Sequence, residues 1–195
     1  MLKGNNIRTS GAYVLYKGLF IFQVGPTKEG DKLGVVRLGG HRENNETALE
    51  TAKREVFEEA QVEIEPFNPN TTFFLSEWDE EPTKANVNEP VSPILIKGSK
   101  EFSYTVMYLS NTLSMPTPSS ESRGILLLSP LEVDLICRRK ISLSDFQKSD
   151  GVSIIKSEID ANLILQPFPQ LLFLSRLLNE ETELMERFID SSSSI

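Results

Sequence analysis

The spacing of apolar and polar positions along this chain changes period several times, and each change marks an element. Residues 12–16 and 19–24 are β-rich runs separated by Lys17-Gly18, where glycine supplies the positive φ of a tight turn, so they predict a β-hairpin. Residues 25–31 read as a loop, and residues 35–38 as a short strand leading to Gly39 and Gly40, where backbone can approach a ligand closely. Over residues 46–60 the period becomes helical: at about 100° per residue, Leu49, Ala52, Val56 and Ala60 share one apolar stripe. Asn45 is the expected N-cap.

Residues 62–65 alternate as a strand, 66–70 read as a turn region, and 72–76 resume the β pattern. Polar residues and prolines between 78 and 100 predict a long insertion, broken by Ile94-Leu95-Ile96, that either selects substrate or forms a solvated acidic loop. Residues 101–110 predict a strand with Phe102, Tyr104, Val106 and Tyr108 on one face, followed by a loop over 111–122 and a strand over 124–129. Pro130 opens a short helix, and 141–155 has no clear period. From Pro169 onward Leu171, Leu174, Leu177, Leu178, Met185 and Phe188 recur at helical spacing. They predict one C-terminal amphipathic helix that covers the sheet or serves a homodimer, with a disordered tail at 190–195 after a single domain over 1–189.

Composition narrows the class. The chain has 195 residues, 39% of them hydrophobic and 25% charged, as expected for one soluble globular domain. A net charge of −8 repels polyphosphate backbones, so neither nucleic acid nor an anionic membrane is an expected partner. A small anionic substrate then needs local positive charge or a metal ion. Cys137 is the only cysteine, which excludes an internal disulfide and suits a reducing compartment. With no long apolar run after the first residues, the expected location is cytoplasmic.

The helical stretch also carries an unfavourable arrangement. Glu55, Glu58 and Glu59 crowd a face about 120° from the apolar stripe, near the end of the helix whose dipole disfavours anions. Like charges at these spacings repel by a few tenths of a kcal/mol per pair, roughly. A cation among them removes both penalties, and hard carboxylate oxygens suit Mg²⁺.

In order, the stretch is Gly40, five residues, Glu46, seven residues, Arg54-Glu55-Val56, one residue, Glu58-Glu59, one residue, then Gln61 and Val62. This resembles the signature of the Nudix hydrolases. From ordinary residue frequencies a chance match is on the order of 10⁻⁶. Gln61 stands where the signature has its closing glycine, and a left-handed helix exit there costs a non-glycine residue on the order of 1 kcal/mol.

The resemblance implies an α/β/α sandwich around a mixed β-sheet and hydrolysis of a pyrophosphate bond in a nucleoside diphosphate linked to another moiety. It implies Mg²⁺, with Mn²⁺ as a substitute, held by Glu55, Glu58, Glu59 and the Gly39 carbonyl, and an Arg54 that orients a neighbouring carboxylate. It also implies a further carboxylate from a later loop, for which Glu121 is the candidate and Glu89 and Glu101 its rivals. His41, the only histidine, lies in the site loop. Two other readings stay open: a Nudix-fold module that binds a nucleotide without cleaving it, and a scaffold with a structural metal site.

Overall fold

The computed structural model describes residues 6–99, 101, 103–120 and 122–192. Strands β1 (Ile7–Tyr16) and β2 (Leu19–Pro26) form the expected hairpin, with Tyr16 opposite Leu19. Both turn residues are left-handed, Lys17 at φ 50° and Gly18 at φ 79°, which matches the twist of the flanking strands. The single strand expected over 35–38 is instead two, β3 (Leu33–Val36) and β4 (Leu38–His41). Val36 still pairs with Gln23 of β2, whereas Leu38 pairs with Ala12 of β1. The chain changes partner at Arg37.

Helix α1 (Ala48–Ala60) follows, then β5 (Glu65–Phe67), β6 (Thr72–Leu75), β7 (Thr83–Ala85), β8 (Leu95–Ser99), β9 (Ser103–Thr112) and β10 (Gly124–Leu128). The strand expected over 62–65 begins only at Glu65, because Val62 and Ile64 are drawn into the core around α1. The expected insertion over 78–100 is in part regular sheet: Leu95 pairs with Met107, and Ile94, Leu95 and Ile96 are buried. Lys100 and Phe102 lie outside the described residues. The chain closes with α2 (Pro130–Arg138), α3 (Leu143–Lys148), β11 (Val152–Ile155), β12 (Leu165–Pro167), α4 (Pro169–Glu180) and α5 (Thr182–Ser191).

The strands make one mixed sheet with the path β11-β10-β2-β1-β9-β8-β6-β7, to which β4 adds on β1, β5 on β9, β3 on β2 and β12 on β3. Strand β1 runs parallel to β9 and antiparallel to β2 and β4. Val14, Ile21, Val106 and Ile125 face α1 through Ala52, Val56 and Ala60. On the opposite face Tyr13, Phe22, Leu109 and Leu126 pack with Val133 of α2, Leu174 of α4 and Phe188 of α5. Helices therefore cover both faces, giving an α/β/α sandwich, and residues 12–16 of β1 read as an unbroken apolar run because that half of the strand is buried on both sides.

The C-terminal segment covers the sheet as two helices, broken at Glu181 (φ −119°, ψ 48°) where one was expected. Its apolar stripe is spent inside the chain: Leu171, Leu174, Leu177, Met185 and Phe188 are all buried, each gaining about 1.5–3 kcal/mol relative to exposure. Helix α5 runs through Ser191, two residues beyond the expected boundary at 189, and 193–195 lie outside the described residues. No helix among the described residues is long and apolar enough to cross a membrane.

Candidate active site

Helix α1 is the platform of the site, and its ends are set by local chemistry. The N-cap is Thr47, not Asn45: the Thr47 hydroxyl accepts from the Glu50 amide at 3.2 Å, and the Thr47 amide donates to the Glu50 carboxylate at 2.7 Å. Asn45 takes a left-handed turn conformation (φ 69°) just before it. At the other end Gln61 keeps the left-handed exit, φ 55° and ψ 35°, with its amide donating to the Phe57 carbonyl. The loop over 113–120 docks there, since the Thr117 and Ser119 amides donate to the Ala60 and Glu59 carbonyls at 2.8 and 3.2 Å. Carbonyls otherwise left without helical partners are thereby satisfied.

Arg54 gathers the site. Its Nε donates to Glu46 Oε1 at 2.7 Å, Nη1 to Glu55 at 2.9 Å and Glu58 at 2.8 Å, and Nη2 to the His41 carbonyl at 2.9 Å and Glu46 Oε2 at 3.1 Å. All the N–H groups of the guanidinium fork are used, so one side chain joins the glycine loop to two of the helix glutamates. Glu46 also accepts from the Thr51 hydroxyl at 2.9 Å and the Glu43 amide at 3.0 Å. Arg54 first, with these donors, holds the Glu46 carboxyl down at about 2. The Arg54 guanidinium is correspondingly raised above its ordinary value.

Glu59 is the opposite case. It turns inward, accepts from the Gly39 amide and from the Gln23 side chain, and is pushed up to about 7 because burial outweighs those donors. Glu55 adds to the rise by repulsion, and Arg37 opposes it. Glu55 itself packs its carboxylate against Gly40, where any Cβ would collide with it. Arg37 and Gln23 were not evident as site residues in the sequence. Arg37 is 8% exposed, its Nε has no partner, and burial lowers its proton affinity against the pull of Glu59, Tyr13 and Glu55. Its guanidinium lies over the Gly11–Gly39 pair, in space that a Cβ on either glycine would fill.

The structure thus brings Gly39, Arg54, Glu55, Glu58 and Glu59 together around one end of β4. Glu121 lies outside the described residues. Glu89 lines a separate cavity, and Glu101 belongs to the β8–β9 turn. Among the described residues no three carboxylate, imidazole or thiol side chains are arranged to enclose a metal ion. The donor set nevertheless suits one: Glu59 is an under-compensated buried carboxylate, which a hard divalent cation relieves.

Two cavities share a residue with the site, Glu46 in one and Gln23 in the other. One of about 430 Å³ is lined mainly by Ile7, Leu49, Val87, Val91, Val106 and Tyr108, with Glu46 and Glu89 among its walls. Its 87–93 wall comes from the segment expected either to select substrate or to form a solvated acidic loop. A second, of about 400 Å³, includes Gln23, Lys28, Arg123 and Phe168.

No protein-family model matches the sequence, and no curated protein is significantly similar to it. Among solved structures the chain is similar to a hydrolase of the NUDIX family from Clostridium perfringens, at 17% identity and a TM-score of 0.49 over 74% of this chain and 94% of that one. It is also similar to an ADP-ribose pyrophosphatase from Streptococcus suis (16%, TM-score 0.39, 63% and 72%). An Ap4A hydrolase from C. elegans is similar at 14%, with a TM-score of 0.40 over 64% and 82%. At this distance these likenesses carry no functional weight.

Proposed function

We propose that the chain is a divalent-metal-dependent hydrolase of Nudix type that cleaves a pyrophosphate bond in a nucleoside diphosphate linked to another moiety. The observation that carries this reading is the Arg54 fork, which holds Glu46, Glu55, Glu58 and the His41 carbonyl in one constellation beside a buried Glu59. Glu55, Glu58 and Glu59, with the Gly39 carbonyl, would hold Mg²⁺ or Mn²⁺, which when bound offsets phosphate charge and acidifies a water molecule. Arg54 fixes the carboxylates, and the Gly39 amide fixes Glu59. Glu58, whose side chain is 53% exposed, is the one of the three open to an incoming water and takes its proton. Lys28 and Arg123 supply positive charge near Gln23, and the aliphatic cavity takes the apolar part of the substrate.

A panel of nucleoside triphosphates, sugar- or ribose-linked diphosphates and dinucleotides, with Mg²⁺ and Mn²⁺ and product identification, tests the reading. Metal-dependent release of a nucleoside monophosphate or pyrophosphate is expected, and no turnover of any member overturns it.

A binding module without catalysis is the second reading. One observation favours it: Arg54 already engages both Glu55 and Glu58. Saturable nucleotide binding with no product would select that reading.

A further inference from the structure

Beside the glycine turn, one row of polar side chains crosses β4, β1, β9 and β8. His41 pairs with Thr9, Thr9 with Thr105, and Thr105 with Lys97. Cross-strand partners project to the same face, and the Thr9 and Thr105 hydroxyls lie 2.9 Å apart. Further along the same strands this face carries the buried Tyr13, Met107 and Leu95, so the row is a polar interruption of an apolar surface. Together with Arg8 and Glu77 the row lines a pocket of about 240 Å³. Lys97 is held in place, its Nζ 2.9 Å from Glu77 and 6.0 Å from the Trp78 ring centroid.

The chemistry of the lining is specific. The lining residues include Arg8 and Lys97 against one carboxylate, Glu77, which already pairs with Lys97, so the Arg8 charge is surplus in a chain whose net charge is −8. The Thr9 and Thr105 hydroxyls, three serines and the His41 imidazole add donors, and this set complements a tetrahedral oxyanion. The pocket is smaller than the roughly 300–1,000 Å³ that holds a whole drug-sized ligand, so it takes a group and not a nucleotide. The aliphatic cavity, on the α1 face of the sheet, has no cationic lining residue and does not compete for such a group. His41 ties the pocket to the site: it lies two residues past Gly39, and its carbonyl accepts from Arg54.

We propose that this pocket is an oxyanion subsite that takes a phosphate group of the substrate other than those joined by the scissile anhydride. The anion-binding chemistry stands on the row itself, whereas its assignment to the substrate rests on the function proposed above.

His41 is the only histidine, so its imidazole C–H resonances report on the pocket without ambiguity. Inorganic phosphate titrated into the metal-free full chain at fixed pH and ionic strength is expected to shift them saturably. An R8Q/K97Q double variant, checked for folding by its amide spectrum, is expected to bind at least tenfold more weakly. If that variant does not fold, T105V, which removes one hydroxyl donor at nearly constant shape, takes its place with the same expected direction. No saturable shift, or equal affinity in the variant, overturns the subsite.

A second arm compares substrates that differ only by a phosphate outside the anhydride. The variant is expected to raise KM for the phosphate-bearing one about tenfold more than for the other, and equal effects overturn the assignment to substrate. Should no nucleotide be turned over, the proposed function fails while the phosphate titration still decides the pocket.

Discussion

The two ends of helix α1 handle negative charge in opposite ways. Near its start, Glu46 is saturated with donors from Arg54, Thr51 and Glu43 and is held at about 2. Near its end, Glu59 is buried with too few donors and rises to about 7. One carboxylate is structural, complete without any ligand, and the other carries a debt of solvation that a cation can settle. The helix is thus fixed at its start and electrostatically under-compensated at its end.

Removing the rigid end has the largest expected effect. R54A leaves Glu46 and Glu55 without their main donor, and should cost about 2 kcal/mol or more of stability and about 100-fold in metal-dependent turnover. R54K should not restore turnover, because an ammonium offers fewer donors than the fork uses. Wild-type-like rates in R54A would show that orientation is supplied elsewhere.

Glu59 is the next test, and it is a pH test. Its folded-state proton affinity lies above the ordinary 4.5, so its contribution to stability is complete below about pH 4.5 and is lost as the pH rises through about 7. Bound metal must displace that proton. Calorimetric affinity for Mg²⁺ is therefore expected to rise about tenfold per pH unit between about 5 and 7 and then to level off. E59Q should remove the slope, weaken metal binding, and make the metal-free protein more stable above pH 7, on the order of 1 kcal/mol.

Glu46 has the opposite sign and a smaller reach. Depressed to about 2, it contributes fully above the ordinary 4.5 and stops contributing as the pH falls through about 2. Acid titration of the melting temperature should lose that limb in E46Q and keep it in E59Q. The smallest effect belongs to Gln61. Its left-handed backbone is strained for a side chain, so Q61G should raise stability by about 1 kcal/mol in thermal unfolding and leave the metal affinity alone.

The helix with its glutamates was legible in the sequence because spacing alone sets which side chains share a face of α1. So was the Lys17-Gly18 hairpin, whose turn chemistry is local. Arg37 and Gln23 were not, since each is a single residue brought to Glu59 by strand pairing across the sheet. The one signal was a lone arginine within Val35-Val36-Arg37-Leu38, directly before two glycines. The change of partner that split this run depends on β1 and β2 lying side by side, which no local pattern records. Asn45 and Thr47 are both good caps, and only the reciprocal bond from Glu50 separates them. In the C-terminal segment helical spacing persists through Glu181, so the periodicity concealed the break between α4 and α5.

The parallel pairing of β1 with β9, in which Ser10 meets Val106, has a temporal consequence. The ribosome finishes the glutamate helix long before it makes the strand that completes the floor beneath it. Closing a loop of that length costs entropy before any contact repays it. The nascent segment up to residue 60 is therefore expected to wait, without a stable fold, until the chain through β9 has left the exit tunnel.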